Sequence, residues 1–130
     1  MLRQAIYEVC RDDPGIAHQV GDRIYPERLP DDVVLPAIAF LAYVSEIDEL
    51  YRTHDLGLVG RTQTRAQLDI YAETGDDAET VTDAVVAAWS GLRDPARGIG
   101  MAQVDNRIHT YEPALNRHRV IVDLLIDRRR

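Results

Sequence analysis

Histidines are the residues of this chain with the most versatile chemistry, as general bases or as metal ligands. They are His18, His54, His109 and His118, and none has the HExxH spacing of a zinc-binding helix. The single cysteine, Cys10, lies on the apolar side of a predicted helix and forms no Cys/His cluster. Strand alternation predicts His109 on the outward sheet face and His118 at the rim of the inward face, where they cannot share a ligand. We therefore predict no metal site.

Carboxylates and serines are the other groups with catalytic chemistry. Acidic residues cluster at positions 12–13, 31–32, 46–49 and 76–77. Three clusters lie in turn-like segments or at a predicted helix start, where aspartate accepts hydrogen bonds from the backbone. The group at 46–49 lies in a predicted loop, too exposed to raise a carboxyl pKa for acid catalysis. Ser45 and Ser90 lack the glycine-flanked context of a nucleophile elbow. The sequence predicts no enzyme, no catalytic residue and no cofactor.

The composition is typical of a folded protein with an acidic surface. The 130 residues, 45% hydrophobic and 28% charged, suffice for one core, and we predict a single domain over residues 1–130. The net charge of −7 disfavours a duplex-binding module, whose affinity comes from basic residues on phosphates. Arginine supplies all of the positive charge, which suits planar ion pairs at subunit interfaces, although a GC-rich genome explains it equally well. The closing Arg128, Arg129 and Arg130 are interpreted as a solvated tail.

Neither a targeting signal nor a membrane span is expected. The longest apolar run, residues 33–44, is interrupted by Pro36 and is shorter than the roughly 18 residues that a span requires. No basic leader with an apolar centre opens the chain. We expect the protein to work in the cytoplasm where it is made, without a membrane partner.

Hydrophobic periodicity predicts two helices and four strands. The predicted elements are a helix over 2–10, strands over 35–44 and 62–71, a helix over 78–92, and strands over 101–111 and 117–126. The predicted fold is α+β, an antiparallel sheet of about four strands with two helices packed on one face, in the order helix-strand-strand-helix-strand-strand. Residues 46–60 form either a mobile loop or a pair of extended hairpin arms, and both readings stay open here.

The sheet face without helices carries mainly tyrosine and arginine. Such a face either simply contacts water, which needs no function, or forms a protein interface, where these residue types are enriched. We weigh the two readings equally. The candidate interface residues are Tyr43, Arg65, Gln67, Tyr71, Arg107, Tyr111, Arg117 and Arg119.

Five segments, in order along the chain, resemble the tail completion proteins of long-tailed phages. These proteins are also called tail terminator or tail-to-head joining proteins, with relatives in prophages and gene transfer agents. The segments lie at residues 20–26, 35–40, 66–72, 78–92 and 111–123. The resemblance covers nearly the whole chain and rests on the shared order of the five segments.

The resemblance implies a structural virion protein that closes into a ring, usually a hexamer, at the head-proximal end of the tail tube. The implied partners are further copies of the chain, the tail-tube protein and the head–tail connector, with DNA passing through unbound. A ring requires complementary patches on two sides of each subunit. The candidate residues facing the tube or lumen are Glu46, Asp48, Glu49, Tyr51, Arg52, His54 and Asp55.

Two other classes of function remain as alternatives. A nucleic-acid-binding module would need exposed aromatic residues such as Tyr71 and Tyr111 on central strands, together with a basic surface. A small enzyme or ligand-binding protein would need a closed apolar pocket with convergent polar groups.

Overall fold

The fold is a five-stranded sheet with three helices, seen in a computed structural model that describes residues 1–55 and 57–129. Leu56 and Arg130 lie outside the described residues, as do the side-chain details of Arg129. The elements are α1 (Leu2–Asp12), α2 (Pro14–Val20), β1 (Ile24–Pro26), β2 (Ala37–Thr53), β3 (Gly57–Ala72), α3 (Gly75–Trp89), β4 (Met101–Glu112) and β5 (Arg117–Arg129). The sheet order is β1-β2-β3-β5-β4, antiparallel throughout except for the parallel pair of β1 and β2.

The α+β class is confirmed, and the structure has one helix more than the two predicted, because a helix start at residues 13–14 was interpreted as a turn. The carboxylate of Asp13 accepts a hydrogen bond from the backbone N–H of Ile16 at 3.0 Å. Pro14 occupies the first turn of α2, where proline loses no helical hydrogen bond. The Asp-Pro pair therefore ends α1 and starts α2, which buries Ile16 and Val20.

The prediction of about four strands was one strand short. The three residues of β1 lie in a segment that is too short for a period-2 pattern to be recognised. Ile24 pairs with Ile38 and Pro26 with Phe40, so β1 forms a short parallel edge on β2.

The predicted second helix exists, but it is capped differently. The hydroxyl of Thr74 accepts a hydrogen bond from the backbone N–H of Asp77 at 3.1 Å, so Thr74 is the N-cap. Asp76 and Asp77, the predicted capping residues, lie in the first turn instead, where their charges interact favourably with the helix dipole.

The core lies between the helices and one face of the sheet, here named the covered face. Alternation buries every second residue of β3 and β5 on this face. Trp89 of α3 is fully buried there, beside the two central strands. The residues of these strands with no exposure are Thr64, Ala66, Leu68, Ile70, Ala72, Val120, Val122, Leu124 and Ile126.

A loop and a pair of hairpin arms were the two alternatives for residues 46–60. Apart from Leu56, these residues form two extended hairpin arms. β2 and β3 pair continuously from Ser45 with Arg65 to Thr53 with Gly57. Because β5 accompanies β3 only as far as Arg61, the last part of this hairpin is two-stranded. We name residues 45–60 the hairpin arm, with Leu56 outside the described part.

The register of paired strands shifts at two places in the sheet. One lies between Leu41 and Ser45 of β2, and the other between Val104 and Asn106 of β4. Beyond the second shift, Ile108 lies opposite Ile121 and is 47% exposed, while His109 lies opposite Val120. Directly opposed residues of antiparallel strands share a face, so the predicted outward orientation of His109 was wrong.

Candidate functional site

An ordered polar network lies on the sheet face opposite the helices, here named the open face. Nη2 of Arg119 donates a hydrogen bond to Oδ2 of Asp69 at 2.8 Å, and Nε2 of Gln67 donates to Oδ1 of Asp69 at 2.9 Å. Asp69 is only 7% exposed although no helix covers this face. The carboxylate therefore accepts from a charged donor on one oxygen and from a neutral donor on the other, which fixes its position.

Tyr71 lies at one end of this network between two arginines. Its ring centre is 4.3 Å from the guanidinium carbon of Arg117 and 5.8 Å from that of Arg119, both in the cation–π range. Burial raises the pKa of Tyr71 and the nearby Asp69 carboxylate adds to this shift, whereas Arg119 opposes it. Nε of Arg117 also donates to Glu112 at 2.6 Å. The ring is thus held by charges on both sides.

A second ion-pair group lies farther along the open face. Nη1 of Arg65 contacts Oδ2 of Asp105 at 2.9 Å and Oδ2 of Asp123 at 3.9 Å. Arg61 bridges Glu49 at 2.8 Å and Asp127 at 3.2 Å. These contacts connect β3 to β4 and β5, and they join the base of the hairpin arm to the sheet.

Five of the eight candidate interface residues lie together on the open face: Arg65, Gln67, Tyr71, Arg117 and Arg119. The prediction that Arg107 and Tyr111 share it was wrong, because the β4 register shift turns them to the covered face. Arg107 lies opposite Val122 and 3.7 Å from Asp83 of α3, and Tyr111 stacks on His118 with ring centres 4.9 Å apart.

Tyr43 also lies away from the open-face network, within the irregular part of β2. Its ring centre is 5.5 Å from the guanidinium carbon of Arg128. With Arg3, Glu27 and its strand neighbours it lines an open groove of about 510 Å³ at the end of β1. The irregularity between Leu41 and Ser45 was not visible in the sequence pattern, which is why the suggested extension of the face to Tyr43 failed.

The residues predicted to face the tube or lumen all lie in the hairpin arm. Three are anchored at its base: Glu46 accepts from Arg128 at 2.8 Å, Asp48 accepts from the Thr62 hydroxyl at 2.7 Å, and Glu49 pairs with Arg61. The hydrogen bond from Arg61 holds the pKa of Glu49 below its ordinary value. The remaining four lie farther out, at positions 51, 52, 54 and 55 of the arm.

Gly60 shows why the arm needs a glycine in a strand. Its φ is +134°, and a Cβ atom there would lie 2.1 Å from the carbonyl oxygen of Glu49. No side chain fits so close an approach of two backbones.

Arg128 was predicted to belong to a solvated tail, and that interpretation was wrong. It lies within β5, donating to Glu46 and, through Nε at 3.1 Å, to the hydroxyl of Thr64. The alternation of Leu124, Ile126 and Arg128 on one face was the signal that β5 continues.

The described residues give little basis for metal binding or catalysis. Within residues 1–55 and 57–129, no group of three His, Cys, Asp or Glu side chains is arranged to hold a metal ion. The register shift does place His109 and His118 on the same face, contrary to prediction, but His118 packs on Tyr111. Burial raises the pKa of Cys10 to about 12, so its thiol stays unreactive. None of the described helices has the length and apolar character of a bilayer crossing.

Comparison with known proteins identifies the family. A family model described as "Tail completion protein gp17" matches residues 4–126. A chain in the solved structure "Virion of native gene transfer agent (GTA) particle" has a similar fold, with a TM-score of 0.74, 15% identity, and coverage of 99% of this chain and 95% of that chain. Comparison with curated proteins gives no significant match. The chain belongs to the tail completion protein gp17 family, and it is a structural protein of the virion tail rather than an enzyme.

Proposed function

We propose that this tail completion protein closes into a ring, with six copies as the family resemblance implies, that ends the tail tube and joins it to the head connector. The observation that carries the proposal is the family match over residues 4–126. Ring closure is a mechanical task, and it calls for rigid complementary surfaces rather than for a reactive group.

The open face has the properties of such a surface. Gln67, Asp69 and Arg119 are fixed by mutual hydrogen bonds before any partner binds. Association then costs less, because fewer side chains lose rotamer freedom. Tyrosine and arginine are also the residues that most often dominate binding energy in interfaces. We assign the five candidate residues on this face to contacts with a neighbouring copy or with the connector.

The outer part of the hairpin arm, beyond residue 50, supplies a second contact, which we assign to the tail tube or the lumen. Tyr51 and Leu58 are 63% and 39% exposed there, and the base of the arm is anchored by Arg61 and Arg128. Large apolar side chains on a projecting arm gain free energy when a partner covers them. The net charge of −7 fits a ring around passing DNA, because like charge keeps the DNA from adhering.

The length of tail tubes tests the proposal. Tail-tube protein from the same genetic element is polymerised with and without this protein, and tube lengths are measured by electron microscopy. We expect capped tubes that stop growing when the protein is added. Arg119→Ala should weaken capping, whereas Arg93→Ala, an exposed arginine outside both surfaces, should not. Tubes that grow equally with and without the wild-type protein would refute the function.

The structure disfavours the nucleic-acid alternative on one specific ground. Stacking successive bases requires exposed aromatic rings on one sheet face. Tyr71 is 9% exposed between two arginines on the open face, while Tyr111 lies against His118 on the covered face. The two rings that this alternative needs therefore do not share a platform.

A further inference from the structure

Two strand segments at opposite edges of the sheet lack a neighbour on their outer side. Within the described residues, β1 borders β2 only at positions 38–40, which leaves residues 45–50 of β2 open. On the other side, Ala102 of β4 bonds the backbone of Gly91 and Leu92, but residues 106–111 are open. Open strand edges present unpaired N–H and C=O groups and therefore attract a further strand.

These two segments differ in charge. Residues 45–50, here named the acidic edge, carry Glu46, Asp48 and Glu49 and no basic residue. Residues 106–111, here named the basic edge, carry Arg107 and His109 and no carboxylate. All of these side chains are exposed. Glu46 and Glu49 pair with Arg128 and Arg61 within the subunit, whereas Asp48 accepts from the neutral hydroxyl of Thr62. Asp48 is therefore the carboxylate of the acidic edge whose charge is complementary to the basic edge.

The side chains of the two edges also match face by face. Ile47 lies opposite Gln63 and Ile108 opposite Ile121, so both isoleucines project on the open face. They are 61% and 47% exposed. Asp48 lies opposite Thr62 and Arg107 opposite Val122, so this charged pair projects on the covered face. If the sheet continued from the acidic edge of one copy to the basic edge of another, isoleucine would lie beside isoleucine on the open face. On the covered face, Asp48 would lie beside Arg107.

We propose that the basic edge of one copy pairs, as a sixth strand, with the acidic edge of the next copy, which places Ile108 opposite Ile47 and Arg107 opposite Asp48. This inference rests on the proposed ring function and names its subunit contact. Because the two edges lie on opposite sides of one subunit, the contact is head-to-tail, as ring closure requires.

The strand directions fit such a ring. β2, β3, β5 and β4 are successively antiparallel, so β4 runs opposite to β2 within one copy. Rotation about a ring axis keeps each copy's direction along that axis, and β4 therefore meets the next copy's β2 in antiparallel orientation. Arg107 is available for a new partner, because its present contact with Asp83 is 3.7 Å long between side chains that are 50% and 70% exposed.

Charge reversal tests this contact. Asp48→Arg and Arg107→Asp each place like charges opposite one another, and each should lower the fraction of assembled protein roughly tenfold. The double variant restores opposite charges at every contact and should assemble as the wild type does. An equimolar mixture of the two single variants should also assemble, because alternating copies restore every contact in a ring of even number. That rescue also shows that both single variants fold.

Cross-linking supplies a second readout. The variant Ile47→Cys/Ile108→Cys should give a ladder of linked copies with a short bis-maleimide, whereas Ile47→Cys/Leu115→Cys, with its second thiol on an exposed turn, should not. Cys10 needs no replacement because it is fully buried. If rings form on tubes but neither rescue nor ladder appears, the edge pairing is wrong and the ring function stands. If the wild-type protein neither self-associates nor caps tubes, both are wrong.

Discussion

Arg119 of β5 donates a hydrogen bond to Asp69 of β3 at 2.8 Å, on the sheet face that no helix covers. A charge pair that is mostly shielded from water on an uncovered face is a preformed feature of the surface. It fixes the neighbouring Gln67 and Tyr71, and with them the geometry that a partner meets.

Arg119→Ala removes this charged donor and leaves Asp69 with its hydrogen bond from Gln67. We expect the free energy of unfolding to fall by about 1–3 kcal/mol, the usual cost of losing a partner for a shielded charged group. Urea denaturation measures the change. Arg93→Ala should stay within about 0.5 kcal/mol of the wild type. Equal effects of the two variants would show that the pair does not stabilise the fold.

The assignment of sheet faces can be checked at two adjacent leucines of β5. Leu124 has no exposure on the covered face, whereas Leu125 is partly exposed on the open face. Leu124→Ala leaves a cavity in the core and should cost about 2–5 kcal/mol. Leu125→Ala should cost less than half as much. Chemical denaturation of both variants gives the comparison, and a reversed order would show that the faces are assigned wrongly.

The hairpin arm should depend on Gly60 more than on Gly57. Gly60→Ala forces a Cβ to within 2.1 Å of the carbonyl oxygen of Glu49, so the strands must separate there. At Gly57, with φ of +70°, an added Cβ would meet no described atom within 4 Å apart from those of its chain neighbours. Alanine there adds about 1 kcal/mol of backbone strain. Hydrogen exchange of arm amides should accelerate strongly in Gly60→Ala and slightly in Gly57→Ala. Unchanged protection in Gly60→Ala would contradict the close approach.

A cluster around Arg97 predicts a pH-dependent stability. Arg97 donates to Asp94, Asp12 and Glu8 at 2.6, 2.7 and 3.3 Å, joining α1 to the turn after α3. Hydrogen bonds lower the pKa of both helix carboxyls: those from Gln4 and then Arg97 act on Glu8, and that from Arg11 acts on Asp12.

A carboxyl group whose folded pKa is depressed stabilises the fold above its unfolded pKa and stops doing so as the pH falls through the folded value. Arg97→Ala should therefore lower the melting temperature near neutral pH, and the difference from wild type should shrink below about pH 4. Thermal unfolding at a series of pH values measures this. The Arg93→Ala variant should show no such trend, and a constant deficit in Arg97→Ala would indicate lost packing instead of lost charge pairing.

Periodicity predicted the class of the fold because β3 and β5 keep a strict alternation over their whole length. Their buried positions, from Thr64 to Ile70 and from Val120 to Ile126, are those expected of a half-buried sheet. The predicted helices also exist, since their apolar stripes pack on this face. In these elements the periodicity of apolar residues continues without interruption.

The orientations of several β4 side chains were not predicted, because a single extra residue interrupts the alternation of that strand. An inserted residue near Asp105 in β4 reverses the parity of everything after it, which moved Arg107, His109 and Tyr111 to the opposite face. The acidic composition of the hairpin arm likewise left the choice between a loop and strands open, although Arg61 and Arg128 pair with two of its carboxylates. These ion pairs join residues that are far apart in sequence, so the local composition does not reveal them.

End-on electron microscopy of tail tubes assembled with this protein tests the central claim most directly. The account predicts, at one end of each tube, a closed ring with rotational symmetry in which every copy touches two neighbours through opposite edges of its sheet. Tube ends without added density, or single copies bound without contact to one another, would contradict it.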